Sequence, residues 1–441
     1  MARTLTLLAP GDSATVPGSK LIVLDESPID LTALRCLFDS VAYTPRFAAN
    51  GDDDAVRCFD ALSETMPGRP RILFLPSSDT HVKTFAPLIR QCRDPLVMVR
   101  RHVQHSEREA LEREGIAYEV HRVGSPMFRD ADVVLMGIDW GMEERVFIHH
   151  CRRHGLPVAC LQESTNVDFD GPPHRMQWAD YALIQGTHAL RYLERQWNFL
   201  TGNPRFDSYS PVPAPPVPRI LINCNFTFGL GVDWGRDWVD QVVDAASALG
   251  LSYAITVHPR DETDLSGLEN VLPSSAYKVG DQLAASTILV SRDSSLPYEA
   301  LLMNRHAVYY NPFHEKERCL QEDESGLIHK CDTPTDLREV LGKLRALPLP
   351  LESPAQTTAA YRQLFTATDE QHHRRVLDAL TVIAANHAEW ASDDYRADPY
   401  WKARWRMTLQ QVVRPRLRRI PVARELWRWG KRRLGKAQQP D

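Results

Sequence analysis

The chain has 441 residues, of which 43% are hydrophobic and 25% charged, and its formal net charge is −5. This length predicts two or three domains that can each bury a substantial core. The ordinary composition argues against a disordered, collagen-like or disulfide-stapled protein.

Cysteine spacing and hydropathy indicate in which cellular compartment the protein resides. None of the eight cysteines forms a CxxC pair, which argues against a zinc site or a disulfide framework and favours a reducing compartment. The apolar stretch at the N-terminus is too short for a signal peptide and ends at Pro10-Gly11. No apolar run approaches the roughly 18 residues that cross a bilayer. We therefore predict a cytoplasmic protein.

The N-terminal half alternates short apolar runs with polar, helix-compatible stretches. The polar stretch after the run at 20–25 is predicted to be a helix that ends near Val41. The apolar runs are KLIVLD (20–25), RILFLP (71–76), PLVMVR (95–100), ADVVLMGIDW (131–140), LPVACLQ (156–162) and DYALIQG (180–186). Runs that are apolar throughout predict strands of a parallel sheet with helices on both faces.

A proline-rich segment, residues 211–218, separates this half from the next. Five of its eight residues are proline, which is typical of a stiff, extended connector. Beyond it the pattern restarts with RILINC (219–224), an amphipathic helix over 238–250, and the strand-like runs LSYAITVHP, STILVSRDSS and HAVYYNP. A last helical block covers about 355–393.

Two strand ends in the second half carry polar residues, and ligands of parallel sheets bind beyond the carboxyl ends of strands. His258, followed by Pro259 and Arg260, can present a ring nitrogen and a guanidinium to a phosphate. Ser294 and Ser295 stand where a strand turns into a helix, where free N–H groups bind anions. The alternatives are a structural histidine and an ordinary helix cap.

Two further residues complete the predicted nucleotide site. Glu299, about one turn into the helix after Ser295, can accept hydrogen bonds from a ribose diol. Thr227 lies in NCNFTFGLG (223–231), a loop whose small residues can bring backbone close to a pyrophosphate. A plain turn at 223–231 and an exposed glutamate are the alternatives.

Three motifs, TGNPRFD (201–207), HPRDE (258–262) and DSSLPYEAL (293–301), occur here in an order that resembles GT-B-fold enzymes. Similar families are the CDP-glycerol glycerophosphotransferases, the Kdo- and sialyltransferases of bacterial capsule and lipopolysaccharide synthesis, and the UDP-N-acetylglucosamine 2-epimerases. The resemblance implies two facing Rossmann-like, doubly wound α/β lobes with the donor in the cleft. It also implies donor contacts from His258, Ser294 and Ser295, and a ribose contact from Glu299.

The domain boundaries follow from these features. We predict an N-terminal acceptor and catalytic lobe (1–210), the linker (211–218), a nucleotide-donor lobe (219–350), helices that pack back on the first lobe (351–395) and a basic tail (396–441).

The resemblance places the catalytic residue in the first lobe. Cytidine-using members often carry an acidic pair followed by glycine, where this chain reads Leu161-Gln-Glu-Ser164. Glu163 is therefore the candidate base for an acceptor hydroxyl, or the nucleophile of a retaining enzyme, and Asp139 is the second candidate. A solvated loop carboxylate is the alternative for either acid.

No metal or cofactor is expected beyond a nucleotide-activated donor linked to CMP, CDP or UDP. Asp52-Asp53-Asp54 begins a helix-like segment, where acids complement the helix dipole. His149 and His150 are adjacent in a helix and point in different directions. GT-B-like catalysis also typically proceeds without a bound metal.

The last segment is strongly basic. Residues 402–436 contain thirteen Lys or Arg and one acid, Glu425, so they carry +12 and the rest of the chain −17. Trp401, Trp405, Trp427 and Trp429 lie among these charges, a pattern typical of a segment on an anionic membrane surface. Packing against the acidic body and, less favoured, nucleic-acid binding are the alternatives.

Together these observations predict a peripheral enzyme on the inner face of a bacterial cell membrane. It would transfer a sugar or a polyol phosphate to a lipid-linked or oligosaccharide acceptor in surface-polysaccharide synthesis, with no nucleic-acid partner. A sugar-nucleotide 2-epimerase and a degenerate GT-B binding subunit are the alternatives.

Overall fold

The computed structural model divides the chain between two parallel sheets. It describes residues 3–10, 12, 18–25, 29–49, 55–58, 68–101, 106–121, 125–162, 176, 178–191, 193, 197–226, 234–259, 261–272, 279–292, 294–314, 325–350, 361, 363–366 and 369–391. The strands are β1 (Thr4–Leu8), β2 (Ser19–Val23), β3 (Ile29–Asp30), β4 (Ser40–Tyr43), β5 (Phe47–Ala49), β6 (Ala55–Cys58), β7 (Ile72–Leu75), β8 (Leu96–Val99), β9 (Glu119–Val120), β10 (Val133–Met136), β11 (Val158–Leu161), β12 (Tyr181–Ile184), β13 (Trp197–Leu200), β14 (Arg219–Cys224), β15 (Ser252–Val257), β16 (Ile288–Ser291), β17 (His306–Tyr310) and β18 (Ile328–Cys331).

The helices lie mostly between the strands. They are α1 (Leu31–Leu37), α2 (Asp79–Gln91), α3 (Ser106–Arg113), α4 (Met127–Asp130), α5 (Met142–Arg153), α6 (Gly235–Ala248), α7 (Val279–Ala284), α8 (Leu296–Leu302), α9 (Pro334–Leu344) and α10 (His372–Trp390), with 3-10 helices at Thr187–Arg191 and Pro204–Ser208. Among the described helices, none is both long enough and apolar enough to span a membrane.

The N-terminal lobe is built on a ten-stranded sheet in the order β4-β1-β2-β13-β12-β11-β10-β7-β8-β9. All its strand pairs are parallel. Both faces of β7 are buried: Leu73 faces a core that includes Phe147 of α5, and Phe74 faces one that includes Phe85 of α2. Burial on both faces explains why these strands are apolar throughout.

The C-terminal lobe has a five-stranded parallel sheet in the order β15-β14-β16-β17-β18. Ile220 and Ile222 of β14 face a core that includes Trp238 of α6, whereas Leu221 faces one that includes Ala300 of α8. The predicted α/β class with two doubly wound lobes is confirmed. Antiparallel β3, β5 and β6 form a small third sheet.

Helix α10 packs on the N-terminal lobe, although it follows the C-terminal lobe in sequence. Val376 and Leu380 share a core with Phe74. At the end of the helix, Trp390 stacks on Trp197 of β13 with ring centroids 4.3 Å apart. The chain therefore crosses from one sheet to the other twice, near residues 201–208 and 361–372.

Several elements differ from the sequence prediction. The first predicted helix ends at Leu37 instead of near Val41, and Val41 lies in the edge strand β4. Strands β1, β13 and β18 were not predicted. In β13, the buried amide of Asn198 interrupts the apolar pattern and donates from Nδ2 to the carbonyl oxygen of Lys20, 3.1 Å away.

We expect stability to fall between pH 6.5 and 4 because of His306, which lies on β17 and is 5% exposed. Burial, followed by the effect of His329, lowers the pKa of His306 to about 4 from the ordinary 6.5. In this pH window the unfolded chain binds a proton that the folded chain excludes, so acidification favours unfolding, by up to about 3 kcal/mol.

The measurement is urea unfolding across this pH window. His306→Gln should reduce the slope but not abolish it, because burial also lowers the pKa of His150 to about 4. The exposed control His314→Gln should leave the slope as in the wild type. Equal slopes for His306→Gln and the wild type would contradict the assignment.

Candidate active site in two lobes

The order of the C-terminal sheet locates its binding edge. From β14 the chain adds β15 on one side and then returns to add β16 on the other. Ligands of open parallel sheets bind at such a reversal, beyond the carboxyl ends of the strands. The residues to examine are therefore those that follow β14, β15 and β16.

Side chains join the ends of β14 and β16. Asn223 donates from Nδ2 to Oγ of Ser291 over 3.0 Å. Arg292 is 2% exposed, donates from Nη1 to the carbonyl oxygen of Asn225 at 2.8 Å, and lies 4.4 Å from the ring centroid of Phe226. These contacts fix two adjacent strand ends as one unit before any ligand arrives.

The loop that carries His258 is attached to the same unit. The N–H of His258 donates to the carbonyl oxygen of Cys224 at 2.9 Å. Asp261 accepts hydrogen bonds from the N–H of Phe226 at 2.6 Å and from Oγ1 of Thr263 at 2.6 Å. Burial alone would raise the pKa of Asp261, but these hydrogen bonds outweigh it and lower the pKa. The ionised Asp261 carboxylate thus connects the segment after β14 to the loop after β15.

The structure brings three of the predicted donor-binding residues to this edge. His258, Ser294 and Ser295 are half-buried and follow β15 and β16, which flank β14. Oγ of Ser294 accepts from the N–H of Leu296 at 3.1 Å, and the hydroxyl of Ser295 makes no capping hydrogen bond to α8. Thr227 and Arg260 lie outside the described residues.

Glu299 occupies a different position from the one predicted. Its side chain is fully buried, and Oε1 lies 2.5 Å from Nη2 of Arg205, which belongs to the TGNPRFD motif. Burial and the Glu299 carboxylate raise the pKa of the neighbouring Tyr209. The carboxylate is therefore engaged inside the protein, and this geometry does not support the predicted ribose contact.

Asp139 is also engaged by the protein. It is fully buried, with Oδ1 accepting from the N–H of Met176 at 2.7 Å and Oδ2 from those of Trp178 and Ala179 at 2.6 and 2.9 Å. Both oxygens bind backbone, which is the arrangement of a carboxylate that holds a loop. We therefore withdraw Asp139 as a candidate base.

Glu163 lies outside the described residues, but its predecessor is firmly held. Oε1 of Gln162 accepts from the N–H of Gln185 at 2.8 Å, and the carbonyl oxygen of Gln162 accepts from Nδ2 of Asn203 at 3.0 Å. Glu163 therefore follows a rigid point at the carboxyl end of β11.

A second polar site, which the sequence analysis missed, lies at the reversal of the N-terminal sheet. The chain passes from β7 to β8 and β9 and then returns to place β10 on the other side of β7. Here five side chains meet, and we call them the N-lobe polar cluster: Ser77, His81, Arg100, Glu107 and Glu144. Glu107 and Glu144 are 0% and 2% exposed.

Arg100 is at the centre of this cluster. Its Nη1 is 3.1 Å from Oε1 of Glu144 and its Nη2 is 4.0 Å from Oε2 of Glu107. Oγ of Ser77 donates to Glu144 at 2.9 Å, and the N–H of Ser77 donates to Nδ1 of His81 at 3.1 Å. Because Nδ1 accepts, the neutral His81 ring carries its proton on Nε2.

The sequence pattern could have indicated two members of this cluster, Ser77 and Arg100, but not its two glutamates. Arg100 follows β8 directly, as His258 follows β15, and Ser77 comes two residues after β7. The same rule applied to them would have marked this edge. Glu107 and Glu144 lie in the first turns of α3 and α5, where acidic residues are common for dipole reasons. Only the packing of these helices shows that both carboxylates face one arginine.

The TGNPRFD motif connects the two lobes. Gly202 adopts a positive φ of 72°, and a Cβ there would lie 1.9 Å from the ring of His372. Arg205 pairs with Glu299 of α8. Asp207 accepts from the N–H groups of His372 and His373 at 2.9 and 2.8 Å, at the start of α10. One short segment therefore contacts both α8 of the C-terminal lobe and α10, the helix that returns to the N-terminal lobe.

Asp207 is also bound by imidazoles. Nδ1 of His372 and Nδ1 of His373 lie 2.8 and 2.7 Å from its carboxylate. Burial would raise the pKa of Asp207, but the hydrogen bonds from the two histidines outweigh it and lower the pKa. An ionised Asp207 thus holds the start of α10.

No protein-family model matches this sequence, and no curated protein matches it. Among solved structures, a Listeria monocytogenes protein described as a UDP-N-acetylglucosamine 2-epimerase is similar with a TM-score of 0.50 and 13% identity, over 74% of this chain and 98% of that one.

Two further structures are similar at lower scores. The UDP-GlcNAc 2-epimerase from Neisseria meningitidis bound to UDP-GlcNAc has a TM-score of 0.47 and 12% identity, over 70% of this chain and 99% of its own. The wall teichoic acid polymerase TagF has a TM-score of 0.45 and 13% identity, over 73% of this chain and 89% of its own. The two parallel-sheet lobes, with the Listeria likeness, show that this chain has the GT-B fold.

Proposed function

We propose that this chain is a transferase that takes a sugar or polyol phosphate from a nucleotide-activated donor and passes it to a glycan or lipid-linked acceptor. The observation that carries the proposal is the convergence of His258, Ser294 and Ser295 at the reversal of the C-terminal sheet, on loops that Asp261 and Arg292 hold together. The fold supports it, since GT-B is a fold of nucleotide-sugar enzymes.

The donor's phosphates would lie at this edge. The hydroxyls of Ser294 and Ser295, the ring of His258 and, by proposal, Arg260 and the loop of Thr227 would stabilise the negative charge of the departing nucleotide. Donors held in place before the reaction stabilise developing charge without reorganisation, which is the main contribution expected in such a site. The acceptor would approach from the N-terminal lobe.

Calorimetry with CMP, CDP and UDP tests the proposal. We expect one of these nucleotides to bind the wild-type chain at micromolar concentration. Ser294→Ala combined with Ser295→Ala should weaken that binding about tenfold or more, because hydrogen bonds to a charged phosphate are lost. The control Ser252→Ala changes an exposed serine at the opposite end of β15. If none of the three nucleotides binds the wild type, the proposal is wrong.

A sugar-nucleotide 2-epimerase is the second candidate, favoured by the likeness to the Listeria protein. An epimerase converts its nucleotide sugar without an acceptor, whereas a transferase releases free nucleotide only slowly until an acceptor is added. Incubation of UDP-GlcNAc with and without oligosaccharide acceptors, followed by chromatography of the nucleotide products, distinguishes the two.

Glu163 is the proposed base that removes the proton from the acceptor hydroxyl. Glu163→Gln keeps the shape of the side chain but cannot accept that proton, so we expect turnover to fall about 10²-fold or more with donor affinity unchanged. Turnover within a few-fold of the wild type would reject the assignment. Glu339→Gln, an exposed glutamate on α9 of the other lobe, is the matched control.

The basic tail, 396–441, lies outside the described residues, and its proposed role is to bind an anionic membrane surface from the cytoplasmic side. Truncation after residue 395 should abolish co-sedimentation with vesicles containing anionic lipid, while nucleotide binding persists. Unchanged co-sedimentation of the truncated chain would contradict the proposal. Vesicles of neutral lipid serve as the control.

A further inference from the structure

An aromatic pair, an exposed Trp234 beside a half-buried Phe313, lies near the proposed donor site. Trp234, the residue before α6, keeps 38% of its surface exposed, and its ring centroid is 4.5 Å from that of Phe313. Trp234 directly precedes α6, the next described helix after β14, and Phe313 comes three residues after β17. Both rings therefore lie at the carboxyl edge of the C-terminal sheet, the edge that carries His258 and Ser294.

The platform that these rings form is fixed to the sheet. One turn after Trp234, the indole N–H of Trp238 donates to the carbonyl oxygen of Tyr310 at 3.0 Å. The hydroxyl of Tyr310 in turn donates to Oε1 of Gln241. Helix α6 is thus bound at two points to the end of β17, so the backbone that carries Trp234 is held in place before a ligand binds.

The platform is also continuous with the loop of His258. The start of α6 packs so closely on this loop that a Cβ at Gly235 would lie 2.2 Å from Oγ1 of Thr263. Thr263 is bound to Asp261, which fixes the loop to the end of β14. Trp234 is therefore connected, through Gly235 and Thr263, to the loop of His258, which is proposed to hold the donor's phosphates.

We propose that Trp234, supported by Phe313, is the surface on which the base of the donor nucleotide stacks. The inference rests on the proposed function and adds a binding partner for the planar part of the donor. A nucleobase is the part of such a donor with an aromatic face, and stacking on an indole or phenyl ring is a sequence-tolerant way to bind it. Phosphate contacts alone would leave that face in water.

The test compares a nucleotide with its abasic counterpart. The dissociation constants of CMP, CDP, UDP and ribose 5-phosphate are measured for the wild type, Trp234→Ala and Trp234→Phe. Leu347→Ala, which shortens another exposed apolar side chain of the same lobe, is the matched control. Ribose 5-phosphate is measured by competition against the tightest nucleotide.

We expect Trp234→Ala to weaken the tightest nucleotide about tenfold, with Trp234→Phe within about threefold of the wild type, because a ring remains. Ribose 5-phosphate should bind all variants equally. An unchanged nucleotide affinity in Trp234→Ala, or an equal loss for ribose 5-phosphate, overturns the stacking role while leaving the proposed function intact. If no nucleotide binds the wild type, both are overturned.

Discussion

Replacing Arg305 with methionine is expected to lower the free energy of unfolding by about 3 to 5 kcal/mol, because it leaves several buried carbonyl groups without a donor. The Arg305 side chain is fully buried, and burial lowers its pKa. Its hydrogen bonds run from Nε to the carbonyl oxygen of Leu283, from Nη1 to those of Val212, Met303 and Asn304, and from Nη2 to those of Pro213 and Ala284.

These bonds attach the proline-rich linker to the C-terminal lobe. Val212 and Pro213 are held by the same guanidinium that binds the end of α7 and the turn after α8. Residues 212 and 213 of the linker therefore belong structurally to the C-terminal lobe. Loss of Arg305 should free the linker as well as destabilise the lobe.

Urea unfolding followed by circular dichroism measures the effect. Arg305→Lys, which keeps the charge but offers three donors on one atom, should lie between the wild type and Arg305→Met. The control Arg345→Met removes an exposed arginine that donates to one carbonyl oxygen, that of Leu249. A midpoint for Arg305→Met equal to that of Arg345→Met would contradict the prediction.

The second large effect is expected at the pair Arg205–Glu299. Arg205→Met leaves the carboxylate of Glu299 buried without its cation, at a cost of about 3 to 5 kcal/mol. Glu299→Gln should cost less, because the Arg205 side chain is 24% exposed and water can solvate it. The double variant should recover much of the loss, since neither charge remains.

The same variants decide the role of Glu299. If it binds a ribose, Glu299→Gln weakens nucleotide binding with little change in stability; if it serves as an internal ion pair, stability falls and the affinity of the folded protein stays within a few-fold. We expect the second result. Arg374→Met, at an i,i+4 pair with Asp378 in which the arginine is 65% exposed, is the control and should change stability by about 0.5 kcal/mol or less.

The sequence by itself determined the fold class and which residues lie at the carboxyl edge of the C-terminal sheet. Apolar runs such as those of β7 and β14 need no partner to be recognised, because burial on both faces makes every residue of the strand apolar. Polar residues directly after such runs, as at His258 and Ser294, must lie at the carboxyl edge of the sheet in any parallel arrangement. Both inferences use local order alone.

Only the tertiary structure decided what the acidic residues do. Glu299 and Asp139 read as strand-end or first-turn carboxylates open to a ligand, yet each is fully buried and bound by the protein. Their partners, Arg205 and the N–H groups near Trp178, are 94 and about 40 residues away in sequence. The sequence analysis missed the N-lobe polar cluster for the same reason. Whether a buried carboxylate is paired inside the protein depends on which distant segment the fold places beside it. A local sequence pattern does not contain that information.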